Sequence, residues 1–419
     1  MLKIIDKDSI PTHLHDPLDA QTLSTVAEIL TNVKRDGENA LREYAERFGD
    51  IQPGAPLILG KDELNAAFES LPAARCEVLM RTAERIRCFA KAQRGAITNI
   101  DIPIPGGRAG HTIQAVRSAG CYAPGGRFPL PSSVLMTVIP ARVAGVERVW
   151  CASPRPAVET LAAAHVAGAD AFLTVGGAQA IAALTYGCGL IPACDVIVGP
   201  GNRFVTAAKK LVAGTVGIDM LAGPSELVVF ADSSADPAVI AADLLAQAEH
   251  DPDALPVLVA IGKELPETVN RELVLQLDHL PTADIARQAL ENGFAVAVEN
   301  IEVGAQICNQ LAPEHLELKL EDSARAIPLL HAYGALFIGE ASAEVLGDYG
   351  AGPNHVLPTG RSARFGGGLS VFNFLAIRTW LQIDNLQKSD ILLNDAVSLA
   401  EIEGLYGHAE AAKRRFKIK

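Results

Sequence analysis

No stretch of this 419-residue chain stays apolar over the ~20 residues that a bilayer crossing needs, which excludes a membrane-spanning helix. The opening residues, Met1-Leu2-Lys3-Ile4-Ile5-Asp6-Lys7-Asp8, carry acidic groups and no long apolar core. No signal or transit peptide is expected, and the expected location is cytoplasmic. Positive charge is also scarce: 36 Lys and Arg face 49 Asp and Glu, a formal net charge of -13. That balance excludes general nucleic-acid binding, which needs a clustered basic surface to neutralise phosphate. The one basic cluster, Lys413-Arg414-Arg415-Phe416-Lys417-Ile418-Lys419, reads as cations gathered at a helix C-terminus. Seven cysteines (Cys76, Cys88, Cys121, Cys151, Cys188, Cys194, Cys308) are odd in number, widely spread and free of any Cys-x-x-Cys. Disulfides and thiolate metal ligands are excluded, leaving reduced core residues. Also missing is any Gly-x-Gly-x-x-Gly, the standard dinucleotide fingerprint.

What is present suits a soluble globular protein: 49% hydrophobic residues, 20% charged, and enough length for two or three domains at about 100 to 200 residues each. Residues 19–48 and 61–94 repeat apolar side chains at three- and four-residue spacing, a helical period. From about residue 112 short β-branched or aliphatic runs recur between helical stretches, at 149–152, 171–175, 196–198, 227–230, 257–261, 294–298 and 335–338. Strands alternating with amphipathic helices indicate parallel α/β architecture. No long linker marks boundaries, so they follow periodicity: a helical N-terminal region at 1–121, assigned to pack with the second α/β block, then α/β domains at 122–226 and 227–369. Residues 370–419 read as a strand-poor helical arm, docked on its own body or on a partner subunit.

Three glycine-bearing turns sit where strands hand over to helices: Tyr122-Ala123-Pro124-Gly125-Gly126, Val175-Gly176-Gly177-Ala178-Gln179 and Gly199-Pro200-Gly201-Asn202. Glycine permits tight turns and close backbone approach of a ligand, and a helix N-terminus favours phosphate. Each turn alone is also plain turn chemistry. Together they put Tyr122, Gln179 and Asn202 on the loops where open sheets collect ligands, and a dinucleotide, a sugar phosphate or a nucleotide fragment all fit.

Pro313-Glu314-His315, just ahead of an expected strand, sets a carboxylate beside an imidazole, two groups able to serve successive proton transfers. A capped strand end reads equally well from that segment alone. Asp236-Pro237 is a helix start, and Pro252 closes the helix that runs through Ala246-Gln247-Ala248-Glu249-His250. Gln247 and His250, three apart, share a face and could ligate a metal, although His250 also reads as a cation at a helix end. Asp348 and His355 lie in the irregular segment Gly347-Asp348-Tyr349-Gly350-Ala351-Gly352-Pro353-Asn354-His355. Glu403 and His408, five apart, point about 140° from each other in an ideal helix and converge only if Gly404 and Gly407 loosen it. His13, His15, His111, His165, His279 and His331 read as ordinary histidines, and Trp380 and Tyr406 as packing residues.

In order along nearly the whole chain, these segments resemble the histidinol dehydrogenase family. The specific strings are the three glycine turns, Ala222-Gly223-Pro224-Ser225-Glu226, Gln247-Ala248-Glu249-His250, Pro313-Glu314-His315-Leu316, Asn354-His355-Val356-Leu357-Pro358-Thr359 and Glu403-Gly404-Leu405-Tyr406-Gly407-His408. The resemblance implies two Rossmann-like parallel α/β domains and a cytoplasmic homodimer. It also implies one Zn2+ per subunit and NAD-dependent oxidation of L-histidinol to L-histidine through L-histidinaldehyde, the last step of histidine biosynthesis. It implies Gln247, His250, Asp348 and His408 as metal ligands in contact with substrate, and Glu314 and His315 as proton acceptors. Ser225, His315, His355 and Glu403 are then substrate contacts, Tyr122, Gln179 and Asn202 NAD contacts, and the arm completes the neighbour's site. A zinc- and NAD-dependent dehydrogenase of another small alcohol fits the same residues, and so does a metal hydrolase using Glu314 to activate water.

Overall fold

The computed structural model describes residues 1–10, 18–125 and 129–416. Gly126 of the first glycine turn, His13, His15 and the basic Lys417 and Lys419 lie outside the described residues. In chain order the strands are β1 (Lys3–Ile5), β2 (Ile58–Leu59), β3 (Ile100–Ile104), β4 (Gly107–Ala115) and β5 (Ser118–Tyr122). Next come β6 (Arg148–Ala152), β7 (Ala171–Leu173), β8 (Val196–Val198), β9 (Gly217–Ile218) and β10 (Glu226–Ala231). The last five are β11 (Leu255–Ile261), β12 (Phe294–Val298), β13 (His315–Lys319), β14 (Ala335–Ile338) and β15 (Leu375–Ile383). All seven expected runs are strands.

Two six-stranded sheets carry the fold, ordered β2-β7-β6-β5-β8-β9 and β1-β12-β11-β10-β13-β14. Apart from the antiparallel edge strand β2, every pairing in them is parallel. In each, the chain builds outward from a central strand, β5 or β10, and then crosses to its other side at β8 or β13. Such a reversal leaves a crevice at the switch point. Helices cover both faces, so central strands are buried throughout and read as continuous apolar runs. Among the described residues, the four large hydrophobic clusters lie one on each face of each sheet.

The helices of the N-terminal region pack mainly on the first block and not the second, which they touch through contacts such as Arg85 Nε donating to the Gly350 carbonyl at 2.6 Å. Helix Ala20–Asp36, started by the Asp19 carboxylate accepting from Thr22 N at 2.7 Å, packs against helices Gly177–Tyr186 and Arg203–Val212 of the first sheet. Helices Lys61–Glu69 and Ala73–Gly95 pack there too, against Val158–Ala167 and Pro131–Ala144. The reason is apolar demand. Gly177–Tyr186 is buried almost all round, so its outer side needs the Val26, Ile29, Leu30 and Val33 stripe as cover. Only β1 joins the second sheet, and the boundary drawn at residue 122 falls inside β5.

The arm also differs from expectation, because β15 is a nine-residue strand pairing antiparallel with β4 in a third sheet, β15-β4-β3. The alternation of Leu375, Ile377, Thr379, Leu381 and Ile383 with Ala376, Arg378, Trp380 and Gln382 is a strand period, and the helical reading of the arm passed over it. Helices Asp390–Ile402 and Tyr406–Phe416 pack mainly on each other. They leave Ile391, Leu399, Ile402 and Tyr406 exposed, so Tyr406 is no packing residue within this chain. Among the cysteines only Cys88 is exposed, and none is paired among the described residues.

Candidate functional site

Parallel pairing of β10 with β13 places Leu227 opposite His315 and so brings the amino ends of these strands together. The helix Ile301–Leu311 ends on Ala312 in a left-handed conformation (φ 47), and Pro313 prevents continuation. Glu314 and His315 then enter the sheet edge beside Glu226. The two glutamates bond reciprocally: Glu226 N donates to Glu314 Oε2 at 3.0 Å, and Glu314 N to Glu226 Oε2 at 3.3 Å. Glu226 Oε1 also accepts from Gly360 N at 2.9 Å. Burial pushes the Glu226 carboxyl up to about 7. Burial, helped by the Glu226 and Asp348 charges and opposed by the bond from Glu226 N, holds Glu314 well above the usual carboxylate range. Ser225 hydrogen-bonds to Glu314 from the preceding loop.

His315 Nδ1 lies 3.2 Å from the Glu226 carbonyl and 3.3 Å from Glu344 Oε1. A backbone carbonyl only accepts, so Nδ1 carries the proton and Nε2 keeps its lone pair. Nε2 is buried without a hydrogen-bond partner and lies 3.9 Å from Asp348 Oδ1. Burial lowers the imidazole pKa to about 4, so His315 is a neutral base at ordinary pH. It lines a cavity of about 590 Å³ together with Asp348 and His355.

Gln247 ends the helix Pro237–Ala248, capped at its start by Asp236, while His250 falls two residues beyond the helix, where its side chain is 43% exposed. With the Gln247 amide nitrogen donating to Glu344 at 2.8 and 3.3 Å, the amide and the carboxylate hold each other in place. His250 Nε2 stands 3.8 Å from Asp348 Oδ2. His250, Glu344 and Asp348 each present one ligand atom, all within 4.8 Å of one another. Such a set of imidazole nitrogen and carboxylate oxygens suits a divalent cation. Negative charge crowded out of water calls for one as well: burial, with Asp348 and Glu314 nearby, raises Glu344 far above its usual range. Glu344 is a residue that sequence reasoning missed. Its one signal is position, four before Asp348 and hence on the same helical face.

Two supports lie behind this cluster. His355 Nδ1 donates to the Asp348 carbonyl at 2.9 Å, and His355 Nε2 meets Ser133 Oγ at 3.4 Å, tying the site to the helix after β5. Beneath it, Lys319 pairs with Asp243 at 2.8 Å and Glu317 at 3.2 Å, and Glu317 Oε1 accepts from Glu344 N at 2.8 Å. Burial alone would lower Lys319, but these two carboxylates hold it above its usual value.

The structure thus gathers Ser225, Gln247, His250, Glu314, His315, Asp348 and His355. Glu403 and His408 stand exposed on the arm and make no side-chain contact with that group among the described residues. Tyr122, Gln179 and Asn202 lie at the carboxyl ends of β5, β7 and β8, on the first sheet's switch side. The Tyr122 hydroxyl accepts from Gly177 N at 3.1 Å, Gln179 Nε2 donates to Asp50 at 2.9 Å, and Asn202 Oδ1 caps helix Arg203–Val212. Both the Tyr122 and Gln179 side chains are buried. Asp50, which also accepts from Gly176 N at 3.0 Å, had no local signal in the sequence.

A family model described as histidinol dehydrogenase matches residues 15–416. The chain belongs to the histidinol dehydrogenase family. It is 45% identical to the histidinol dehydrogenase of Thermus thermophilus, over 93% of this chain and 93% of that one. It is 39% identical to that of Methanocaldococcus jannaschii, over 95% and 93%. The crystal structure of the Elizabethkingia anophelis histidinol dehydrogenase superposes with a TM-score of 0.92 at 30% identity, covering 99% of this chain and 98% of that one. Membership in the histidinol dehydrogenase family makes the chain an oxidoreductase with two Rossmann-like domains.

Proposed function

We propose that this chain oxidises L-histidinol to L-histidine through the aldehyde, consuming two NAD and one water. The observation that carries the reading is a buried Glu314–His315 pair set against the His250, Glu344 and Asp348 cluster. Four electrons leave one substrate, so the aldehyde has to stay bound while one NAD departs and another arrives. Gln247, His250 and Asp348 would hold a zinc ion, with His408 from the arm of a second copy. Such an ion would supply positive charge that helps retain the substrate and favours ionised carboxylates nearby. NAD, at Tyr122, Gln179 and Asn202, supplies the hydride acceptor.

His315 Nε2 takes the alcohol proton in the first oxidation and, after releasing it, takes the proton of the aldehyde hydrate in the second. Glu314 takes a proton from the water that adds to the aldehyde, and its high proton affinity suits it to keep that proton. Ser225 and His355 border the substrate, with Glu403 reaching it from the second copy. Exposed Ile402 and Tyr406 on the arm helices, and exposed Ile377 and Leu381 on β15, support a homodimer. Among the described residues no helix is long and apolar enough to cross a membrane, and we place the enzyme in the cytoplasm, with neither nucleic acid nor membrane as partner. The test is the NADH formed per L-histidinol consumed, with and without a chelator. A ratio near two that is lost on chelation is expected; a ratio of one, or turnover indifferent to chelation, refutes the reading.

A further inference from the structure

We infer that the buried ion pair of Lys209 and Asp219 is the positioning device of the loop at residues 199–202, fixing it for NAD before NAD arrives. The inference rests on the reading of that loop as a cofactor contact. Gly199 lies against the end of β5 at the switch point, with φ +115, and a Cβ there would stand 1.9 Å from the Tyr122 carbonyl oxygen. Neither Gly199, Pro200 nor Gly201 has a side chain able to anchor the loop through hydrogen bonds. The anchor comes from below: Gly199 N donates to Asp219 Oδ2 at 2.7 Å, and Lys209 Nζ donates to the Gly199 carbonyl at 2.9 Å. Lys209 and Asp219 pair with each other, closing a ring through the backbone of one residue, Gly199, and their side chains are 2% and 0% exposed.

A buried ion pair adds little to stability compared with apolar residues of equal volume, so its use here lies in geometry. Both polar groups of Gly199 have fixed partners, and the loop's orientation is set without a ligand. Asn202, three residues on, caps the helix that carries Lys209, so cofactor contact and anchor share one rigid element. A loop ordered in advance spares the cofactor the entropy of ordering it.

The test is the zinc-loaded Lys209→Met/Asp219→Asn double variant, which removes both charges together and keeps an acceptor for Gly199 N. Its KM for NAD should rise at least tenfold, with KM for L-histidinol and zinc content within twofold of the parent. A folded double variant with KM for NAD within twofold overturns the inference. If the variant does not fold, hydrogen exchange in the parent chain decides. The Gly199 amide should exchange slowly without cofactor, and exchange as fast as in an unstructured peptide overturns the inference. The same experiment with NADH added separates the two readings: exchange at 202–205 should slow further. No change there removes the loop from the cofactor site and takes the inference with it.

Discussion

Replacing Glu314 with Gln isolates the water-activation step. The amide keeps an oxygen where Glu314 Oε2 accepts from Glu226 N at 3.0 Å and occupies nearly the same volume. Burial already disfavours the charged carboxylate, so a neutral amide in its place should change folding stability by under ~1 kcal/mol. What is lost is the proton acceptor. General base catalysis is worth about 10²- to 10⁴-fold, or roughly 3 to 5 kcal/mol of barrier. That whole loss should fall on the second oxidation, while the first, served by His315 Nε2, changes less than tenfold. Free aldehyde hydrates in water and would bypass the step, so the assay has to form the aldehyde on the enzyme. Rapid mixing of L-histidinol with excess NAD and enzyme should show one NADH per site at near-parental rate, then a stalled second. Equal loss in both phases, with zinc content and melting temperature unchanged, refutes the assignment of Glu314 to the water.

Three further outcomes follow from the same geometry. His250→Asn, at a half-exposed position outside the helix, should leave the fold intact but cut zinc retained after dialysis at least tenfold; full zinc content removes His250 from the ligand set. Lys319→Met leaves Asp243 and Glu317 buried without their cation and should cost about 3 to 5 kcal/mol in urea unfolding, and a loss below ~1 kcal/mol refutes the role of that pair. In chelator-treated protein, burial lowers His315 from 6.5 to about 4, so the folded chain resists a proton that the unfolded chain accepts. Its stabilisation is present above pH 6.5 and is lost as pH falls toward 4, by about 3 kcal/mol. The stability gap between parent and His315→Gln should shrink by that amount between pH 7 and 4, and a pH-independent gap contradicts it.

Each strand run expected from β-branched periodicity is present, and so is the Asp236 cap, because strand pattern, capping and proline chemistry act over a few residues. The ordered strings around Tyr122, Gln247, Glu314 and His355 likewise sufficed for the family. Local pattern failed where the deciding contact is distant. The helix Ala20–Asp36 follows the apolar face of Gly177–Tyr186, and the edge on which β15 pairs, β4, lies more than 250 residues earlier. The site divides in the same way. Glu314 and His315 stood out as neighbours in the chain, but Glu344 and Glu226 became visible only once β10, β13 and the helix Glu344–Asp348 were set side by side. The sequence by itself therefore determined the elements, the family and the residue types able to move protons or hold a metal. Tertiary structure decided which nitrogen of His315 is free, which carboxyls are driven out of water, and which side chains converge. Those properties depend on strand order and burial, which no short segment contains.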